Sequence, residues 1–546
     1  MASILNPNSP DKPPPAPSTT PSLQPPERIG ESQQQRCVHH LCELTKPTSS
    51  SPHTVSIHIL DDNSLLNVFL LYRPPIFDGD EDDEVRLRGG KGWNRERWWY
   101  KLVHVCQRWR NLILGSTSVL DVCLVCTYGT PVEDMLAHSP HLPIVIDYDY
   151  ETCDITAEAE GIILALEQRN RVRRIRLHIP ALNLQMFNIT IHDEYPVLEY
   201  FIMEPSMEVM STALTLPETL QAPRLRHVAL MGFALPIRSQ LLTTAVGLVT
   251  LVLTVVHPPT YFQPNILLQW LSFMPQLETL VISFSFPVPN SDVEGQLIHM
   301  PITLPNLRWF VFRGVSAYVE AVVRRITTPR LEKLGLHFFK QLTFSVPHLL
   351  QYINATENLK FDSAKFKFSR DGIYVKLYPH EEGEKDSLFM YVDCWHLDWQ
   401  VSSVAQIFDS HVQIFSTVEH LTFEYEVHSR SSEEHNEVDR TEWRKLLKSF
   451  NSVKTLHVDD GLIKELSCVL QLYDRELPLG LLPELQELIY SGSGDAVDVF
   501  TSFIDARQNV GFPVTLTRPF QAINHNNNDS KDMPDHACTI SEGSVL

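Results

Sequence analysis

One recurring phrase limits what this chain can fold into. It is a proline or another breaker, then L-x-x-L, then a β-rich continuation: "PVLEYFIM" at Pro196, "PRLRHVAL" at Pro223, "GLVTLVL" at Gly247, "PQLETLVIS" at Pro275, "PNLRWFVF" at Pro305 and "PRLEKLGLHF" at Pro329. These starts lie 27, 24, 28, 30 and 24 residues apart. "ENLKF" at Glu357 continues the series, and after a less regular interval come "STVEHLTFEY" at Ser416, "NSVKTLHV" at Asn451 and "PELQELIY" at Pro483. Each phrase reads as a short strand, and the intervening stretches, such as "NILLQWLSFM" before Pro275, read as helical. No single unit can bury its apolar face, so the units must stack.

A period in the twenties with one L-x-x-L strand per unit is the signature of leucine-rich repeats. The expected fold class is α/β: a short N-terminal helical motif followed by an irregular leucine-rich-repeat solenoid over residues 119–520, its strands lining a concave wall. The charged insert "LYPHEEGEKDS" marks the array as imperfect. Residues 1–52, crowded with Pro, Ser and Gln, and the polar tail 521–546 lack the apolar content to offset ordering and are expected to be disordered.

Composition then excludes whole classes of function. Among 546 residues, 43% are hydrophobic and 20% charged, as in folded, water-soluble chains. Mean hydropathy is −0.11. No apolar run approaches the roughly 18 residues of a spanning helix, and no signal sequence is evident, so an intracellular protein, cytoplasmic or nuclear, is expected. A formal net charge of −21 opposes a nucleic-acid partner, which would require many phosphates to be neutralised. Nine scattered cysteines fit reduced thiols better than a disulfide framework.

No stretch forms a catalytic or metal constellation, and neither a cofactor nor an enzymatic role is expected. "CVHHLC" at Cys37 lacks a second cluster to close a tetrahedral site, and "CLVC" at Cys123 sits in a strand-like run, where buried free thiols are the better account. "RLRGGKGW" lacks phosphate-loop spacing, "YSGSGD" lacks a nucleophile elbow, and the acidic run 78–84 lacks the turn and terminal Glu of a calcium loop. "RNRVRRIRLHI" at Arg169 is the best nucleic-acid candidate. Its alternation fits the first repeat strand with a charged exposed face, so solenoid surface is preferred.

Two helices are expected ahead of the repeats. "ILDDNSLLNVFLLY" has helical spacing behind the cap-like Asp61, Asp62 and Asn63. Within "WWYKLVHVCQRWRNLI", Trp98, Leu102, Val105, Trp109 and Leu112 follow steps of four and three, predicting one helix over 98–113 with its charges mostly beside the stripe. Between them lies an acidic, then glycine-rich, loop.

Together these helices resemble the F-box, written L-P-x-x-[IVL]-L-x-x-[IL]-[FL] and followed by [VL]-C-[RKS]-x-W-[RK]-x-[LI]. Leu60 takes the first leucine, Leu65 and Leu66 the central pair, and Val68 and Phe69 the end of the first helix. Val105, Cys106, Trp109, Arg110 and Leu112 take positions of the second. Residues 57–150 are similar to a large fungal family of F-box-like proteins with C-terminal leucine-rich repeats. The resemblance places the motif at 53–118 and implies a substrate-receptor subunit of an SCF-type ubiquitin ligase. Leu60, Asp61, Leu65, Leu66, Val68, Phe69, Leu102, Val105, Cys106, Trp109 and Leu112 would then contact a Skp-type adaptor and, through it, a cullin, while the repeats hold a target protein. Asp61 stands where the motif has proline. The alternative is a repeat scaffold whose helical end is only a cap.

Overall fold

A computed structural model of the chain describes residues 59–73, 97–149, 158–206, 214–258, 261–287, 301–380, 387–409, 414–426, 440–471, 480–491 and 497–518. Both terminal tails, Cys37, the acidic run, the glycine-rich loop and most of "YSGSGD" lie outside these residues. Two compact units are present, Met1–Leu65 and Leu66–Leu546, with the division inside helix α1 (Asp62–Tyr72).

Asp61 is the N-cap of α1. Its carboxylate accepts the Ser64 backbone N–H at 2.8 Å and the Ser64 hydroxyl at 2.9 Å, and these bonds hold its pKa below the ordinary carboxylate value. A capping carboxylate fills the place where the motif has proline; both residue types suit the start of a helix.

The second unit is built on one sixteen-stranded sheet. Its first nine strands are β1 (Leu124–Cys126), β2 (Ile144–Asp149), β3 (Val172–Ile179), β4 (Tyr200–Pro205), β5 (His227–Met231), β6 (Thr250–Val256), β7 (Thr279–Phe284), β8 (Trp309–Gly314) and β9 (Lys333–Phe338). They lie in chain order, each parallel to the next. The repeated leucines explain this ladder: Leu277, Leu280 and Ile282, like Leu307, Phe310 and Phe312 one unit on, are all buried on one face. Between the leucines the backbone does the linking. Glu278 and Thr279 donate their N–H groups to the Val249 carbonyl, Arg308 and Trp309 to that of Glu278, and Glu332 and Lys333 to that of Arg308, at 2.8–3.1 Å. The x positions can therefore vary without loosening the stack. Short helices such as Pro264–Leu271 and Ser316–Val323 bury apolar side chains, and neighbouring helices pack on one another.

After β9 the parallel series is interrupted. β10 (Ser363–Phe368), β11 (Gly372–Tyr378) and β12 (Leu388–Asp393) form an antiparallel meander, inserted so that β12 lies beside β9 and β10 beside β13 (His420–Tyr425). Parallel pairing resumes through β14 (Thr455–Asp459), β15 (Glu487–Ser491) and β16 (Thr515–Thr517). The sequence expectation of imperfection here holds, but its form is a three-stranded meander rather than an irregular repeat. Strict alternation keeps the inner face continuous: Ala364, Phe366, Phe368, Ile373, Val375 and Leu377 are all buried.

Two local expectations are corrected. The strand-like run around "CLVC" starts later than its apolar pattern suggests: Thr117–Leu120 is a helical turn, Asp121 takes a left-handed conformation (φ 53), and the strand begins at Leu124. Nor is 98–113 one helix. It divides into α2 (Tyr100–Val103) and α3 (Gln107–Gly115), with Cys106 extended between them. Two side-chain contacts bridge the break. The Cys106 sulfur accepts the Trp109 N–H at 3.5 Å, and Arg110 Nε donates to the Val103 carbonyl at 3.0 Å.

This segment also protects the first edge of the sheet. Val125 points its backbone away from β2; its N–H donates to Tyr100 Oη and its carbonyl accepts Arg97 Nη2, each at 3.3 Å. An uncovered edge strand would template pairing with other chains, and two side chains close it here.

Candidate functional site

Helices cover one face of the sheet; side chains of the opposite face form in-register rows. The central row runs Ile202, Ala229, Val252, Val281 and Val311 across β4 to β8, a small apolar strip apart from the main core. It continues through Gly335 on β9 to Phe389 on β12. A Cβ on Gly335 would lie 2.2 Å from the Phe389 ring, so that glycine leaves room for the aromatic beside it.

A second row begins with stacked planes. Arg174 lies 4.5 Å from the Tyr200 ring centre, Tyr200 stacks on His227 at 4.3 Å, and His227 Nδ1 is 3.1 Å from Thr250 Oγ1. Burial, with Arg226 and Arg174 adding to it, pushes the His227 pKa from 6.5 down to about 4. Between those values the unfolded chain binds a proton that the folded one refuses, so this group's contribution is lost as pH falls through that window. The loss approaches roughly 3 kcal/mol at the acid end. Urea titrations of His227→Phe between pH 7 and 4 should show a flatter decline than wild type; identical slopes would remove His227 as the cause.

The third row gathers the densest chemistry. His337 Nε2 is 3.1 Å from an Asp393 oxygen, its ring meets Tyr391 edge-on at 4.5 Å, and Tyr391 lies 4.3 Å from Tyr374. Arg313 sits over Phe339 at 5.4 Å. Burial, with Asp393 nearby, raises the Tyr391 hydroxyl's pKa. This cluster stands where the strand order reverses between β9 and β12. Sequence reasoning did not find it, because Tyr374 and Tyr391 fall in the less regular interval between Glu357 and Ser416, where the repeat phrase assigns no strand.

The residues assigned to the F-box-like motif divide by environment. Leu65 and Phe69 are buried, and Phe69 packs edge-on against Trp109 at 4.9 Å. Leu60, Leu66, Leu102, Cys106, Trp109 and Leu112 are half-buried. Asp61 is exposed, as are Val68 (40%) and Val105 (58%). Outside the sequence-assigned set, Leu71 (87%) and Tyr72 (54%) add to the uncovered apolar surface of α1. Splitting the second helix resets its period, so the buried positions are Trp99, Val103 and Ile113 rather than the Trp98–Leu112 stripe.

The arginine-rich run forms strand β3, the third of the sheet. Its charges are engaged within the chain: Arg169 with Asp193 (2.6 Å), Arg171 with the Leu142 and Pro140 carbonyls, Arg173 with Asp121 and Glu199, and Arg176 with Asp147 and Asp149. Cys123 and Cys126 are buried free thiols, and burial pushes Cys126 up to about 12. Among the described residues, no group of three or more His, Cys, Asp or Glu could hold a metal ion, and no helix is long and apolar enough to cross a membrane. A groove of about 480 Å³ on the helix side is walled by Thr327, Thr328, His348, Gln351, Tyr352 and Glu357. His348 is held there by Glu320, whose carboxylate also accepts the N–H groups of His348 and Leu349 and so caps the helix Pro347–Ala355.

No family model and no curated protein matches the chain. Among solved structures it is similar to the leucine-rich repeat-containing protein LegL7 from Legionella pneumophila, at 10% identity over 73% of this chain and 91% of that one, with a TM-score of 0.22. The repeat assignment rests on this chain's own ladder of leucines and shared carbonyls. Its second unit is a leucine-rich-repeat-like array.

Proposed function

We propose that this chain is the substrate-receptor subunit of an SCF-type ubiquitin ligase. The α1–α3 segment would dock a Skp-type adaptor and, through it, a cullin, in the cytoplasm or nucleus. The open face of the sheet would hold a target protein near a ubiquitin-charged enzyme carried by other subunits. This chain's part in catalysis is proximity, without a nucleophile of its own. The observation that carries the reading is the uncovered apolar side of α1. Val68, Leu71 and Tyr72 are exposed while Phe69, one residue from Val68, is packed inward, the arrangement expected of a helix with a second surface to bury.

A second reading, a scaffold whose helical end is only a cap, is favoured by Arg73. This residue follows α1 and pairs at 3.0 Å with Asp121, which also binds Arg173 of β3. Co-purification with a Skp-type adaptor separates the two. Val68→Asp with Leu71→Asp should weaken the association on the order of a hundredfold, because two apolar anchors become charged, with thermal melting unchanged. Changing Leu66 or Trp109 instead would confound docking with packing. Should the wild type fail to bind the adaptor, or the double variant bind as well as wild type, the scaffold reading replaces the ligase one.

A further inference from the structure

We infer that a second copy of this chain pairs with β16 across a twofold axis, joining the two sixteen-stranded sheets edge to edge. The contact needs neither the adaptor nor the target of the proposed function. The backbone of β16 is the first support. Thr515 donates its N–H to the Gln486 carbonyl at 2.8 Å, and Thr515, Leu516 and Thr517 lie in register with Glu487, Leu488 and Ile489 of β15. In a parallel ladder alternate residues of a strand bond to the same neighbour. Thr515 and Thr517 are therefore committed to β15, and the Leu516 N–H and carbonyl face outward. β16 ends the strand order, and among the described residues these two Leu516 groups have no backbone partner. The opposite edge differs, because Tyr100 and Arg97 close it at Val125.

That asymmetry selects the occupant. Pairing β16 of one copy on β1 of the next would propagate into a filament, and the closed β1 edge blocks it, so association stops at two. An antiparallel pair centred on Leu516 is self-complementary. Each Leu516 N–H would donate to the Leu516 carbonyl of the second copy, and Thr515 would stand opposite Thr517 of that copy. The two Leu516 side chains would extend the row of the buried Leu488. Charge does not oppose the contact: no residue from Gln508 to Thr517 is charged, on a chain of net charge −21. Val510 (43%) and Phe512 (50%), just before β16 in the chain, leave apolar surface to be covered.

Sedimentation velocity of the full chain should show a monomer–dimer equilibrium between about 1 and 100 µM, as expected of a small contact. Leu516→Pro removes only the outward N–H and leaves the bonds of Thr515 and Thr517 to β15 in place. It should weaken the dimer at least about tenfold. Amide exchange reads the same contact directly. From the dilute to the concentrated end of that range the Leu516 N–H should slow about tenfold or more, while the Thr515 N–H, already bonded within the monomer, hardly changes. If Leu516→Pro does not fold, Val510→Asp with Phe512→Asp, both at exposed positions, should weaken the dimer about tenfold by placing like charges in the contact. Val68→Asp with Leu71→Asp should leave the dimer intact, which separates this contact from the adaptor surface. A chain that stays monomeric at about 100 µM, assemblies larger than two, a dimer lost with Val68 and Leu71, or a dimer in which Leu516 exchanges as in the monomer and the β16 variants associate like wild type would each overturn the inference.

Discussion

Replacing Arg507 by methionine is expected to weaken the last strands of the sheet by roughly 3 kcal/mol while the rest of the array stays folded. Arg507 is fully buried on the helix Val497–Asn509. Its guanidinium donates to the carbonyls of Leu482 (3.0 Å), Pro483 (2.9 Å) and Leu485 (3.1 Å) in the loop that opens the final L-x-x-L phrase. Two effects compete on substitution. Removing the cation recovers the cost of burying a charge, which is what lowers the Arg507 pKa. Against this, three carbonyls lose their charged donor, at about 1–3 kcal/mol for each left without a replacement.

The second effect wins because the loop is already strained. Leu482 holds a left-handed backbone (φ 47), worth about 1–2 kcal/mol for a residue with a side chain, and the bond from Arg507 helps to keep it there. Repeat arrays couple each unit mainly to its neighbours, so the damage stays near the end. Amide exchange at Leu488 and Tyr490 of β15 should accelerate about a hundredfold, with Leu280 in β7 unaffected. Unchanged exchange in β15 would show that this loop does not depend on the arginine.

Most of the array was legible because its cause is local and repeated. Leu225, Val228 and Leu230 can be matched to Leu277, Leu280 and Ile282 by eye, and each triplet is buried as its spacing requires. The meander was missed although it left a mark. "KFKFSRDGIYVKLY" alternates strictly around an Asp-Gly pair, the pattern of a hairpin, and Ser369 and Gly372 close that turn with a 2.9 Å bond. The split between α2 and α3 was less accessible. Trp98 to Leu112 keeps helical spacing throughout, and nothing in that spacing shows that the Cys106 thiol and Arg110 can satisfy the backbone of a broken helix.

The open-face site was only half legible for the same reason. The x positions of the phrases announced a variable exposed surface, but which of them meet depends on strand order. Tyr374 and Tyr391 become neighbours only because β11 runs antiparallel beside β12. His337 meets Tyr391 only because β12 inserts next to β9.

Gly372→Ala is the sharpest probe of that arrangement, with an expected loss of about 2–3 kcal/mol. A Cβ there would lie 2.5 Å from the Val392 carbonyl oxygen and 2.6 Å from the Tyr391 hydroxyl. Neither neighbour can yield cheaply: the first is backbone of β12, and the Tyr391 ring is held between Tyr374 and His337. Gly247→Ala is the matched control, since a Cβ at Gly247 meets nothing within 4 Å, and its effect should stay within about 0.5 kcal/mol. Urea unfolding should therefore shift its midpoint for Gly372→Ala and hardly at all for Gly247→Ala, with the same denaturant slope in both. Were Gly372→Ala as stable as the control, β12 would have to move aside freely, and the close fit of Tyr391 against Tyr374 could not be what shapes the open face.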